Sequence, residues 1–202
     1  MKTKLLVTVA SLLSMSAFAA NWEIDSAHSS ASFSVRHMMV SNVRGEFGKL
    51  TGMASYDPAH PTAATVEATI DASTINTREP KRDAHLKSAD FFDVANHPTI
   101  TFKSKKVTAA DKGHLKITGD LNMRGITKEV TLAVDGPTAA MKDMMGGQRM
   151  GATATTKINR KDFGLNWNKA LEAGGVLVGD EVTITLDVEW VQKSEAPKHA
   201  AK

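Results

Sequence analysis

A chain of 202 residues with a formal net charge of +3 has room for one domain with a full hydrophobic core. It contains no cysteine, which excludes thiol catalysis, Cys-based zinc sites and c-type haem attachment. Basic and acidic residues are interspersed without a long run of one sign, so nucleic acid is not an expected partner.

The chain opens with basic Met1-Lys2-Thr3-Lys4, an apolar run from Leu5 to Leu13, and the small-x-small triplet Ala17-Phe18-Ala19. This is the three-part pattern of a secretory signal peptide, cleaved after Ala19. The apolar run is too short for a membrane span, which takes about 20 residues. The reading is therefore a signal peptide over 1–19, one domain over 20–193 and a polar, disordered tail over 194–202. Lys2 and Lys4 leave with the signal, so the remaining chain is close to neutral.

Beyond Trp22 to Asp25, residues 29–37 alternate, with Ser29, Ala31, Phe33, Val35 and His37 on one face and Ser30, Ser32, Ser34 and Arg36 on the other. That is a half-buried strand. Val43 to Tyr56 is a longer β-like run interrupted by Gly45, Gly48 and Gly52, which predicts bends. Asp57-Pro58 and His60-Pro61 mark a turn. A strand follows with Val66, Ala68, Ile70 and Ala72 in one row. Residues 78–98 break the pattern and predict a helical interruption closing one end. Strands then resume at Ile100 and Phe102, along Leu115 to Met123, and from Ile126 to Val134 after the hairpin signal Arg124-Gly125. Two more run from Met150 to Ile158 and from Val182 to Trp190.

Eight or nine strands with short connections predict a mainly all-β, antiparallel fold. An eight-stranded up-and-down barrel fits best, with a two-sheet sandwich as the alternative. Aromatics make up only 5% of the chain, too few for the two girdles of an outer-membrane barrel. The apolar face is therefore expected to point inward.

That face carries many small residues: Ala31, Ala68, Ala72, Gly119, Ala152 and Ala154. Two readings remain open, tapered close packing or an internal cavity. A cavity with such walls suits an elongated apolar ligand in an interior roughly 25 Å tall. The expected lining is Phe33, Val35, Phe47 and Ile70 from the early strands, and Leu86, Phe91 and Phe92 from the interruption. Later segments add Phe102, Leu121, Met123, Leu132, Met144, Ala154, Phe163, Trp167 and Ile184.

Met141, Met144, Met145 and Met150 surround Gly146-Gly147, and a flexible apolar flap is one reading of this loop; Met38-Met39 offers a similar element elsewhere. The seven histidines show no compact metal-binding spacing, so no metal is expected. No nucleophile elbow or phosphate loop is present. Arg82, Asp83 and His85, with His37, are expected to act as a polar gate or structural group; neighbouring helical positions point in different directions, which argues against shared acid-base chemistry.

The segment Arg82-Asp83-Ala84-His85-Leu86-Lys87-Ser88-Ala89-Asp90-Phe91-Phe92-Asp93 resembles the signature of the YceI-like family of secreted polyisoprenoid-binding proteins. Further matches in order are Asp25, His28-Ser29, Phe33, His37, Gly45 and Phe47; Pro98 to Ser104; Gly119-Asp120-Leu121; Gly125 to Lys128 with Val130; Arg160 to Gly164; and Val178 to Val182. His97 departs from it, standing where an aromatic such as Tyr is usual. The resemblance implies a lipocalin-like antiparallel barrel with a helical insertion and an apolar tunnel. It also implies a periplasmic, non-catalytic protein without a cofactor, whose partner is a polyisoprenoid, an isoprenoid quinone or another long amphiphile. A monomer or homodimer that does not span the membrane is expected. The competing expectation is an exported interaction module with a solid core and no ligand.

Overall fold

The computed structural model describes residues 19–172 and 174–193. The expected signal segment, apart from Ala19, and the expected tail lie outside the described residues. The strands are β1 (Ala20–Ile24), β2 (Ser30–His37), β3 (Ser41–Phe47), β4 (Leu50–Tyr56), β5 (Thr65–Asp71) and β6 (Ile75–Asn76). After helix α1 (Pro80–Lys87) come β7 (Thr99–Ala109), β8 (Leu115–Met123), β9 (Ile126–Asp135), β10 (Met141–Lys142), β11 (Gln148–Asn159) and β12 (Val178–Gln192).

Alternation builds these strands as expected. In β8, Leu115, Ile117, Gly119, Leu121 and Met123 are all buried while the residues between them are not. Arg124 and Gly125 both take positive φ, at 51° and 75°, and turn β8 back onto β9. Such turns require positive φ, which glycine adopts freely and arginine does not.

One sheet runs β11-β9-β8-β7-β5-β4-β1-β12, and the β11–β12 pairing closes it into an eight-stranded antiparallel barrel. β12 is the seam strand. Its end pairs with β1 through Ile24 and Trp190, and its first part pairs with β2 through Val35 and Val182. β2, β3 and β6 pair in succession and extend the wall beyond β1, β4 and β5. Three segments therefore bend as they pass between the two halves, at residues 25–29, 48–49 and 72–74. The bends are cross-linked: Gly48 N donates to Thr74 Oγ1 at 3.1 Å and Asp71 N to the Lys49 carbonyl at 3.1 Å. The glycine-broken run from Val43 to Tyr56 is thus two strands.

The wall is not uniform. β9 meets β11 only where Asp135–Ala133 face Thr153–Thr155, and below that the strands separate. The 3-10 turn Arg160–Phe163 contacts both strands there. Phe163, only 1% exposed, joins Leu121, Met123, Ile158 and Leu165 in the core at this end.

Helix α1 starts at Glu79, whose carboxylate caps Lys81 N, with Pro80 in the first turn. Only eight residues are helical, and none is fully buried. The large apolar groups arrive after it, on turns that return the chain to β7: Phe91 is 6% exposed and Phe92 packs beside it. The interruption expected over 78–98 is therefore a short helix followed by an apolar turn, and the turn does most of the plugging. No described helix is long and apolar enough to cross a membrane.

Candidate functional site

The inward faces enclose two adjoining chambers. The lower, of about 150 Å³, is bounded by β2, β7, β8, β11 and the first half of β12, and capped by Leu86, Phe91, Phe92 and Leu165. The upper, of about 100 Å³, lies among Ile24, Val66, Leu115, Val134, Ala154 and Trp190. They meet at a waist formed by Leu50, Ala68, Phe102, Leu132 and Leu186, which face both. Along β12 the lining runs from Val178 to Trp190, about 30 Å for a tilted strand. The accessible wall of the lower chamber is wholly apolar, and that of the upper nearly so.

The small inner residues serve both purposes left open by the sequence. A Cβ on Gly45 would fall 2.5 Å from Phe33 Cζ, and one on Gly119 would fall 2.6 Å from Phe102 Cζ. These two glycines leave room for the Phe33 and Phe102 rings, and Gly119 also for the Lys103 carbonyl. Ala31, Ala68, Ala152 and Ala154 instead face the chambers and leave them open.

Of the residues expected at a site, Phe33, Val35, Phe47, Ile70, Leu86, Phe91, Phe92, Phe102, Leu121, Met123, Leu132 and Ile184 line the lower chamber. Ala154 lines only the upper. Three lie elsewhere. Phe163 is buried in the plug between β9 and β11. Trp167 meets His85 edge-to-face at 4.9 Å and Phe91 at a tilt at 5.3 Å, bracing the cap. Met144 is fully exposed with Met145 at the tip of a turn, beyond the other end of the barrel, because Asp143 holds that turn through the backbone of Met145 and Gly147.

The polar residues hold the cap. Asp83 accepts from Thr77 N at 2.9 Å and from the Thr77 hydroxyl, while Arg82 donates to the Thr77 hydroxyl and carbonyl at 2.7 and 2.8 Å. His85 Nε2 lies 2.8 Å from Asp90 Oδ2. Neither these three nor His37 lines a chamber. Arg124 ties the cap to the following loop, donating to the carbonyls of Ala89 and Gly164 at 2.7 Å each. His97 sits against Gly125 at that hairpin, away from the chambers.

Arg160 is the residue that sequence reasoning missed. It lies on the lower chamber's lining yet is 3% exposed. Its guanidinium donates to the carbonyls of Leu165, Trp167, Val178 and Gly179 and to Asp180 Oδ1. All its donors are thereby used, so it braces the β12 entrance and has none left for a ligand. In the string Arg160-Lys161-Asp162 only an unbroken ring of acceptors marks it as buried, and the Val178 to Asp180 part of that ring comes from a distant segment.

A second polar cluster lies at the opposite end. Arg149 donates to Asp25 at 2.7 Å, to Asp143 at 3.0 Å and to Glu189. Ligand atoms of Asp25, His28 and Glu189 come within 4.8 Å of one another, but the guanidinium already stands among them. Arg149, then His28, holds the Asp25 carboxyl far below the usual carboxylate range; Arg149 and the Gly147 N–H lower Asp143. A carboxyl depressed in the folded state contributes stability that is complete above its unfolded pKa, about 3.9, and is lost as pH falls through the folded value. Thermal melts should therefore show a loss of stability below about pH 4. Arg149→Ala should melt below wild type at pH 7, with the gap narrowing as pH falls towards 3. A gap that stays constant across this range would contradict the linkage.

A closed eight-stranded antiparallel barrel around an apolar interior, capped by a short helix and turn, has the architecture of barrels wide enough to hold one small ligand. Comparison makes this more specific. The model of the YceI-like domain matches residues 22–190, and the chain belongs to that family. A UPF0312 protein of Staphylococcus aureus strain N315 is 39% identical over 170 residues, covering 84% of this chain and 96% of the relative. Among solved structures, a Campylobacter jejuni YCEI protein has TM-score 0.65 and 28% identity, covering 79% of this chain and 90% of that one. Burkholderia cenocepacia BcnA shares the fold with TM-score 0.70 and 22% identity, over 82% and 98% of the two chains. A polyisoprenoid binding domain from Saccharophagus degradans shares it with TM-score 0.62 and 15% identity, over 87% and 99%.

Proposed function

We propose that this chain is a non-catalytic, exported binding protein that holds a polyisoprenoid or isoprenoid-quinone-like lipid in its barrel, for transport, storage or sequestration in the periplasm. The observation that carries the reading is the wall itself: two adjoining chambers whose accessible surface is almost without polar atoms. Such a wall selects for apolar length and offers an internal head group no partner. Burying ten methylenes at about 0.8 kcal/mol each contributes about 8 kcal/mol, enough for roughly micromolar affinity before binding costs. The Saccharophagus degradans domain, described as polyisoprenoid binding, supports the same ligand class. The engagement of Arg82 and Asp83 with Thr77 supports a structural role for these signature residues.

Mass spectrometry of an organic extract from the purified protein tests the proposal. An isoprenoid species in stoichiometric amount is expected. Protein that yields no lipid and also takes up none after delipidation would favour an interaction module without a ligand.

A further inference from the structure

The β2–β3 hairpin ends on a tip that breaks two local rules at once. The turn from His37 to Val40 is closed by Val40 N donating to the His37 carbonyl at 3.1 Å, and its central residues Met38 and Met39 take φ of 49° and 62°. Positive φ at both central positions favours Asn-Gly, and other side chains there carry a steric cost. The same residues are exposed: Met38 by 45%, Met39 by 54% and Val40 by 75%. Strain and solvent-exposed apolar surface in one short turn are both unfavourable to an isolated fold, and together they mark a functional surface.

The tip is held in place beside the lower chamber. Arg36 Nη2 donates to the Met39 carbonyl at 2.9 Å, and Met38 N donates to the Leu177 carbonyl at 2.8 Å. Val178, the next residue, pairs with His37 and lines the chamber. Arg36 and Arg44 are exposed along the hairpin and Lys169 beside Leu177, and none has an acidic partner among the described residues.

We infer that this tip is a membrane-docking element that inserts its apolar side chains into the surface of a bilayer containing anionic phospholipid. The inference rests on the lipid-binding reading, since it supplies that chamber with its source. Unbranched, flexible Met side chains suit a deformable interface. The flanking cations would add attraction to anionic head groups.

The test replaces Met38→Asn together with Met39→Gly, which installs the preferred turn pair and should not lower the melting temperature. Flotation with phosphatidylcholine vesicles, with and without phosphatidylglycerol, should show the wild type binding the anionic vesicles about tenfold more tightly than the variant. Quinone transfer from those vesicles should slow by a similar factor, while equilibrium uptake of water-dispersed quinone stays within about twofold. Equal vesicle binding by the two proteins, or none by the wild type, would overturn the inference. Failure of the lipid-binding reading would show separately, as no quinone uptake by either protein.

Discussion

Arg160→Met should lower the melting temperature by about 10 °C while leaving the far-ultraviolet spectrum of a β-protein. Methionine replaces the stem of the side chain but none of its donors. The carbonyls of Leu165, Trp167 and Gly179 would lose that donor in a region that water reaches poorly, while Val178 keeps the Asn168 amide at 2.8 Å. Losing one partner of a buried charged network costs about 3–5 kcal/mol, and each kcal/mol shifts the melting temperature by about 2–4 °C at this size. Burial pulls the pKa of Arg160 down against the opposing Asp180 carboxylate, yet a guanidinium stays charged and its hydrogen bonds persist. The effect is not confined to stability. Arg160 joins the start of β12 to the loop that carries Leu165 and Trp167, so the cap over the lower chamber should loosen and lipid should leave faster. A melting temperature within about 2 °C of wild type would show that these contacts are replaceable.

Ala68→Trp should produce the largest change in ligand binding. Ala68 is half-buried on β5 and lines both chambers, so an indole there would block a chain that runs from one to the other. Long isoprenoids would be confined to the lower chamber. Excluding five methylenes from burial forfeits about 4 kcal/mol, so affinity for a long chain should fall a hundredfold or more. A short chain that fits below the waist should bind nearly as before. The added ring enters free space, so the cost to stability should stay at or below the ~1–3 kcal/mol typical of overpacking. Ala154→Trp, in the upper chamber alone, should shorten the longest chain accommodated without closing the passage. Unchanged affinity of Ala68→Trp for long chains would remove the waist from the binding path.

The parts of this architecture that could be read from the chain are those governed by local rules. The alternation from Val182 to Trp190 gathers the apolar residues on one face, because side chains on a strand have a period of two, and the scarcity of aromatics turns that face inward. Arg124-Gly125 announces its hairpin, and the run 78–98 stands out because it cannot alternate. What could not be read is set by distant contacts. Gly119 and Ala31 look alike as small inner residues, yet Phe102 covers the first while the second faces open space. The separation of β9 from β11, and the use of Phe163 as a plug, depend on a register fixed elsewhere in the sheet. Met144 and Met123 have the same side chain; one stands in solvent and the other lines the interior because of the segments that carry them. Arg160 appears in a charged string and is buried only because the start of β12 folds over it.

If apolar burial in the two chambers sets affinity, titration of delipidated protein with isoprenoid quinones that share one head group and differ in chain length will show it. One equivalent should bind, with affinity rising severalfold for each added isoprene unit until the interior is filled and then levelling off. No saturable uptake, or an affinity independent of chain length, would contradict it.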